Sequence, residues 1–473
     1  MEIDVLKKII KNNLNKFEQR NSQIRKARKY YVNENDIMLD SDPINQQYDE
    51  QNKNALRQAD NRVSHNWHRL LVNQKAAYMM SEPPRFDAND KHLNSEITKL
   101  LGDSFSKIAK DLCVDASNGG ISWVHVWRDE DNNFFKYGII DSTQIIPIFS
   151  KRLDKKLQGI LRVYDDYDEK GDLITVYEYW NDNDCQAFQK KKGNNIEDIE
   201  TFEMFGEMDI ATGQPIGKTN TYKHGWSNIP FIPFRNSADE LSDLKMYKGL
   251  VDVYDKVYSD FVNDLDDIQE IIFVLTNYGG EDKQEFLDDL KKYKMVKVDD
   301  DGSGDRGGVD TIAVDIPTEA RDKLLEVTRE AIFVNGQGVD PQRSIGQNNS
   351  GAAIKYMYSL LELKASATET EFRQGFGQLI RFILEYSNSD ADIEIKQTWK
   401  RTSINNDLEI AQILASLAPI TSNEAIAKAN PLVENWEDEL TKQAEELLDD
   451  NRMEDDYKPT NKDVTEDAEE GGA

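Results

Sequence analysis

Apolar positions between Ala238 and Tyr386 change their period several times, and each change marks an element. Leu250, Tyr254, Val257, Phe261, Leu265, Ile268, Ile272 and Leu275 fall at alternating spacings of four and three. At ~100° per residue these make one narrow stripe on a helix. Asp252, Asp255, Asp266 and Glu270 lie on the opposite face, and Val251, Tyr258 and Val262 add a second apolar flank. A helix with two apolar sides and one acidic side suits packing between neighbours while showing negative charge to an aqueous space. Gly279-Gly280 breaks the chain. A short helix (Glu281–Lys294), a strand (Met295–Val298), an acidic turn and a second strand (Thr311–Ile316) are predicted next. Pro317 suits a helix start, and Thr318–Val334 reads as a returning helix. On it Glu319, Asp322, Glu326 and Glu330 occupy one ~80° sector, a second acidic stripe. Asn335 to Ser350 is a glycine-rich polar loop, and Ala352–Tyr386 a long helix.

Upstream, Ile3, Leu6, Ile9, Ile10, Leu14 and Phe17 define one side of a helix over Met1–Tyr31, with many Lys and Arg opposite. Asn33–Asn54 reads as a loop. A second helix covers Asn61–Met80 and stops before Pro83-Pro84. A third covers Leu93–Asn118, closed by Gly119-Gly120. From Ile121 the period shortens to two. Ile121–Trp127, Phe134–Ile140, Ile145–Phe149, Gly159–Tyr164 and Leu173–Trp180 are short β-branched or aromatic runs separated by turn residues, a meander of antiparallel strands. After the long helix come a strand at Ile393–Trp399 and helices between Ser403 and Leu448, one opened by the capping pattern Thr421-Ser422-Asn423-Glu424. Asp449–Ala473 is acidic and too poor in apolar residues to pack.

Charge narrows the function classes. The 473-residue chain has a formal charge of −30, so ordinary binding of nucleic acid through a basic patch is not expected. Cys113 and Cys185, far apart, form no disulfide framework and no metal-ligand spacing, as in a reduced cytoplasmic setting. Met1–Asn13 lacks the apolar core of a signal peptide, and no apolar run approaches the ~20 residues that cross a bilayer. No phosphate-binding loop, dinucleotide fingerprint, nucleophile elbow or H-E-x-x-H pattern occurs. His65 and His68, three apart on a helix, have no third ligand placed and read as structural. Asp299, Asp301, Ser303, Asp305 and Asp310 match a calcium loop at several positions. Asp replaces Glu at the twelfth position, Arg306 stands at the eighth and strands flank the run, so a solvated hairpin tip is the preferred reading. Asp392, Glu394 and Lys396 alternate as in a metal-dependent nuclease core, but such enzymes usually bring their first Asp from another element, so a polar strand face is the preferred reading.

The loop Asn335–Ser350 carries Gln337, Gln342, Arg343, Gln347, Asn348 and Asn349, amides and one cation that can touch phosphates with little base preference. Gly336, Gly338, Gly346 and Gly351 are its candidate hinges. Alone it would read as a connector; between two helices built like channel walls it reads as functional.

Taken together, the chain resembles the portal proteins of tailed double-stranded-DNA bacteriophages, of the siphophage type. The likeness is carried by Asp60-Asn61-Arg62-Val63-Ser64-His65-Asn66 through Ala77–Pro84, and by Ile229-Pro230-Phe231-Ile232-Pro233-Phe234-Arg235-Asn236 with Asp243-Leu244-Lys245. Leu250–Asp255, Ser259–Asp267 and Val274-Leu275 continue it, and Pro431-Leu432-Val433 with Glu437–Glu446 complete it. The resemblance implies an α+β portal fold of wing, stem, clip and crown, assembling as a ring, usually of twelve subunits, around an axial DNA channel. The wing would be residues 1–235 with 352–402, the stem 236–275 and 317–334, and the clip 276–316. The tunnel loop would be 335–351, the crown 403–448 and the acidic tail 449–473. It implies a place at one vertex of the virion capsid after assembly in the host cytoplasm, where the ring serves DNA packaging and ejection. The implied partners are double-stranded DNA, the terminase motor, the head–tail connector, and the major capsid and scaffolding proteins. No enzyme activity, cofactor or membrane is implied. The strongly acidic wall agrees, because a basic tunnel would hold a duplex through many phosphate contacts and slow it. A metal-dependent nuclease and a non-channel head scaffold or adaptor are the alternatives.

Overall fold

The computed structural model describes residues 1–39, 59–129, 132–150, 152–153, 156–208, 215–267, 272–276, 308–312, 317–342, 351–390, 393–401, 407–430, 433, 436 and 439–446. The expected helix Glu281–Lys294, the strand Met295–Val298 and the acidic tail lie outside them. The chain divides into two compact units, residues 1–343 with 358–402, and residues 344–357 with 403–473.

In the larger unit, helix α1 (Ile3–Tyr31) buries Leu6, Ile10, Ile24, Ala27 and Tyr30. Helix α2 begins at Trp67 and ends at Met79, six residues later than its apolar pattern suggests. Residues 61–66 form neither helix nor strand. Strand β1 (Arg85–Asp87) leads to α3 (Lys91–Leu101), whose first-turn N–H groups of His92 and Leu93 are accepted by the Asp90 carboxylate. The single helix expected over Leu93–Asn118 is two, because Gly102 takes φ +67° and ends α3 before α4 (Phe105–Gly119). Gly120 closes α4 at φ +78°, and a Cβ there would overlap the Glu240 carbonyl. Only glycine fits that corner.

The strand region is two sheets rather than one meander. Strands β2 (Ile121–Arg128) and β3 (Phe135–Ile140) form one hairpin. A 3-10 turn at Ser142–Gln144, capped by Asp141, then redirects the chain. Strands β4 (Ile145–Phe149), β5 (Leu157–Tyr167), β6 (Leu173–Trp180) and β7 (Asp184–Lys191) build the second sheet. There β8 (Glu200–Thr201) pairs with β7, and β9 (Phe205–Met208) and β10 (Pro215–Thr219) form a separate hairpin. Strand β11 (Thr221–Lys223) adds to β7. Strand β12 (Phe231–Arg235) returns to the edge of β2, the position that tolerates Pro233. Alternation puts Ile146, Leu161, Tyr177 and Phe188 under α1, while Ile121, Trp123, Ile160 and Phe231 fill the space between the sheets.

Helix α5 (Lys248–Asp267) follows a short 3-10 turn. It is shorter at both ends than the expected 236–275 helix. Ile272–Thr276 is strand β13, paired antiparallel with β14 (Gly308–Ile312). Five of the six residues in Ile271-Ile272-Phe273-Val274-Leu275-Thr276 are β-branched or aromatic, and over six residues a helical stripe and a strand cannot be told apart by period. Helix α6 (Thr318–Gly336) matches its prediction within two residues. Helix α7 (Gly351–Tyr386) passes Leu361, Ala365, Phe372, Phe376, Leu379, Ile380 and Ile383 into the main core, against α2, α4, β2 and β12. Strand β15 (Lys396–Thr398) pairs with β1. In the smaller unit are α8 (Asp407–Leu417) and α9 (Asn423–Ala429), the latter capped by Ser422, one residue later than the capping pattern suggests.

Candidate functional site

Helices α5 and α6 run antiparallel. Trp67 stacks edge-on against Tyr254 near the start of α5 and Phe333 near the end of α6. At the other end Arg321 pairs with Asp264 and lies over the Phe261 ring, 5.5 Å from its centre. Helix α6 then has three faces. Thr328, Ile332, Phe333 and Gly336 are buried. Glu319, Asp322, Glu326 and Glu330 are all exposed in one stripe, with Lys323 at 2.8 Å from Glu326. Between these two, Leu324, Val327 and Val334 stand 46%, 48% and 53% exposed. An acidic stripe beside an exposed apolar stripe is unusual on a monomer's surface.

The acidic face expected on α5 is a different feature. Asp255 is fully buried and belongs to a ladder that holds residues 61–65 along the helix. Its carboxylate accepts from the His65 N–H at 3.0 Å, faces His65 Nδ1 at 2.8 Å and accepts from Asn35 Nδ2 at 2.6 Å. Four residues on, Ser259 Oγ accepts the Val63 N–H at 2.9 Å. Four further, Asn263 Oδ1 accepts the Asn61 N–H at 2.6 Å, and Asp266 takes the Asn61 side chain at 2.5 Å. The match is metric: four helical residues rise ~6.0 Å and two extended residues ~6.6 Å, so every second residue of the strap meets every fourth of the helix. This is why residues 61–65 lie along α5 and do not join α2. Asp252 accepts from the Tyr30 hydroxyl and pairs with Lys248 at 2.6 Å. Asp255 is thus a buried joint between α5 and the N-terminal region, and part-exposed Asp252 and exposed Asp266 bond to the same region at its two sides. Glu270 lies outside the described residues.

The loop after α6 is anchored at its root. Gln337 takes φ +53°, and the Gly338 N–H returns to Phe333 O at 2.9 Å. Gly336 and Gly338 have ordinary negative φ, and a Cβ on either would run into Leu71. They are packing glycines, and the left-handed backbone at the root of the loop falls on Gln337. Gly351 opens α7. The Gln74 amide brackets Val339, donating to its O at 2.8 Å and accepting its N–H at 3.1 Å. Asp340, itself buried, pairs with Arg329 at 3.4 Å and accepts the Gln342 N–H at 2.9 Å. Gln342 is exposed. Arg343, Gly346, Gln347, Asn348 and Asn349 lie outside the described residues.

Beneath this root is a buried charged node. Asp243 lies 3.0 Å from Lys75 and 2.9 Å from Lys364, and accepts from Asn236 Nδ2 at 2.8 Å. Lys364 also donates to Gly336 O at 2.9 Å, and Lys75 to Asn236 Oδ1 at 2.5 Å. Burial alone would raise the Asp243 carboxyl. Lys364, Lys75 and the Asn236 amide outweigh it and hold the group well below the usual carboxylate range. Burial lowers Lys364, against the pull of Asp243. Beside the node His68 faces the Tyr247 hydroxyl at 2.6 Å and Asn118 Oδ1 at 2.9 Å, and burial brings it down to about 4. Sequence reading did not single out Gln74, Lys75, Asp243 or Lys364 as a unit. The one local signal is the polar triplet Asn73-Gln74-Lys75 between the apolar stretches Leu70–Val72 and Ala76-Ala77 of α2.

The remaining candidates do not converge. His65 and His68 make separate hydrogen bonds. Of the calcium-loop residues Asp299, Asp301, Ser303 and Asp305 lie outside the described residues, while Asp310 sits opposite Val274 in the β13–β14 ladder. Glu394 and Lys396 are exposed and Ile393 and Ile395 pack on the core; Asp392 is outside the described residues. Among those residues no helix is long and apolar enough to cross a membrane.

The described residues thus form an α+β body with a pair of antiparallel helices and a loop anchored at its root. The family model for phage portal protein, SPP1 Gp6-like, matches residues 10–457. The portal protein of Clostridium phage phiCD119 is 37% identical over 471 residues, 97% of this chain and 99% of the relative. That of Bacillus phage SPP1 is 32% identical over 475 residues, 95% and 90% of the two chains. Among solved structures, the neck of an empty gene transfer agent particle is similar at 12% identity and a TM-score of 0.42, over 76% of this chain and 87% of that one. The chain belongs to the SPP1 Gp6-like family of phage portal proteins. It is a component of the bacteriophage particle, the portal.

Proposed function

We propose that copies of this chain, twelve in the usual case, close into a ring whose axial channel passes double-stranded DNA during packaging and ejection. The observation that carries the reading is the pair of stripes on α6. In a ring, Leu324, Val327 and Val334 pack against the neighbouring copy, and Glu319, Asp322, Glu326 and Glu330 then face the lumen. One face satisfies the hydrophobic effect, while the other keeps the wall from gripping phosphates. Screening limits that repulsion to ~8 Å at physiological salt, so lumen-facing residues dominate it.

In this reading residues 236–275 and 317–334 are the stem, 276–316 the clip and 403–448 the crown. Residues 1–235 with 352–402 form the wing. The loop 335–351 is the narrowest point, where Gln337, Gln342, Arg343, Gln347, Asn348 and Asn349 touch the duplex. The Gln74 bracket and the Lys364–Gly336 contact support this by fixing where the loop leaves the body. The ring docks the terminase and later the head–tail connector, meets the capsid and scaffolding proteins, and performs no chemistry itself. Shortening residues 343–349 tests the loop. Native mass spectrometry should find rings unchanged, while heads assembled with the variant should package or retain less DNA. Normal DNA content with the loop shortened would reduce it to a connector.

A further inference from the structure

Charge is distributed unevenly along this chain. Helix α1 carries nine Lys and Arg against Asp4 and Glu18, within a protein of formal charge −30. Five of those cations are engaged by the fold. Arg20 donates to the Ser142 and Ile145 carbonyls, and Arg28 meets Asp115 and Asp141. Lys7 and Lys11 contact Glu197, and Lys26 lies 3.1 Å from Asp36. Lys8, Lys16, Arg25 and Lys29 are exposed, with no side-chain partner among the described residues. Exposed amides and a hydroxyl (Asn12, Asn15, Gln19, Ser22 and Gln23) lie between them, with one exposed carboxylate, Glu18.

The face is also bare of apolar groups. Between Val5 and Val32 no large hydrophobic side chain is exposed. Protein–protein interface cores are rich in aromatics and depleted of Lys, so this surface is a poor match for a neighbouring copy. Cations interspersed with amides are the chemistry that contacts phosphate and sugar without reading bases. Lys8 and Lys29 are 21 residues apart, ~31 Å along the helix, close to the ~34 Å of one B-DNA turn. Negative charge elsewhere confines any attraction to this face, because fields fade over ~8 Å at physiological salt.

We propose that the exposed face of α1 is a sequence-independent docking surface for the phosphate backbone of duplex DNA, outside the axial channel. It rests on the reading that this chain encircles the path of the genome, which makes duplex DNA the polyanion at hand. A channel wall that repels DNA and an outer face that holds it would give one protein two opposite electrostatic tasks. Four phosphate contacts correspond to a slope of about −3.6 in log affinity against log salt, on the order of a 100-fold loss between 50 and 200 mM.

The test uses the purified full chain and a covalently closed circular duplex, which has no end to thread through a ring. Binding is measured against potassium chloride for the natural sequence and for the quadruple variant Lys8→Gln, Lys16→Gln, Arg25→Gln, Lys29→Gln. The proposal expects binding at 50 mM salt and a slope shallower by about three to four in the variant. An unchanged slope, or no binding by the natural sequence, would overturn it. Polyglutamate bound in preference to the circle would also overturn it and reassign the face to an acidic protein. Native mass spectrometry of both proteins separates the readings. Rings with an unchanged slope sink only this surface, whereas absence of rings sinks the channel.

Discussion

Asp243 is a single carboxylate shared by two buried lysines from helices nearly three hundred residues apart, and its loss is not equivalent to the loss of either partner. Asp243→Asn would leave Lys75 and Lys364 buried without a counter-charge, at a cost of about 3–5 kcal/mol. Lys75→Met keeps the Asp243–Lys364 pair and should cost clearly less. Urea denaturation of the two variants checks the order; equal losses would contradict the shared-carboxylate account. Titration gives a second residue-scale prediction. Burial lowers His68 and His125 to about 4 from an ordinary value near 6.5. Between those limits the unfolded chain binds more protons than the folded one, so stability is full above pH 6.5 and falls as pH drops towards 4. Each histidine contributes up to ~1.4 kcal/mol per pH unit. His125→Phe keeps the ring stacked 4.3 Å from Phe231, and Pro230 O retains the Val126 N–H. The melting temperature of that variant should therefore fall less steeply from pH 6.5 to 4; an unaltered slope would count against it. Little of this was legible beforehand. His65 and His68 make separate hydrogen bonds to Asp255 and to Tyr247 and Asn118, but nothing local marks Lys364 as a partner of Asp243. Gly336 and Gly338 looked like hinges because glycine permits positive φ, whereas here their missing Cβ makes room for Leu71.

At the scale of elements, α6 was the most legible, because a proline start, a regular period and an acidic stripe agree over nineteen residues. The α5 pattern misled at both ends. Its acidic position 255 would be exposed on a helical wheel only if nothing lay against that face, and the strap 61–65 does, while Asp266 stays exposed. Its C-terminal stripe runs into six residues, five of them β-branched or aromatic, whose strand partner, β14, lies more than thirty residues further on. Long-range pairing of that kind leaves no local signature. The meander became two sheets for the same reason, since β12 returns to β2 across more than a hundred residues. A prediction follows for the exposed face of α6. Leu324→Ser with Val327→Ser removes apolar groups that one copy leaves in water, so the melting temperature of the unassembled chain should change little. Assembly should fail, because those groups are what the neighbouring copy covers. Sedimentation velocity beside thermal melting reads both effects, and rings formed normally by the double variant would contradict the face assigned to the neighbour.

For the whole molecule, charge and composition excluded more than they identified. A formal charge of −30 argued against a general nucleic-acid binder and suited a conduit, and the basic exception in α1 emerges only when burial separates engaged cations from free ones. The order of elements carried the family likeness, and membership over residues 10–457 agrees with it. Electron cryomicroscopy of the purified full chain would show how α5 and α6 are oriented in an assembly. A closed ring with an axial hole is expected. Glu319, Asp322, Glu326 and Glu330 should line that hole, Leu324, Val327 and Val334 should lie between copies, and residues 335–351 should form the narrowest point. A ring with the acidic stripe on its outer surface, or an open filament with no axial channel, would contradict that expectation.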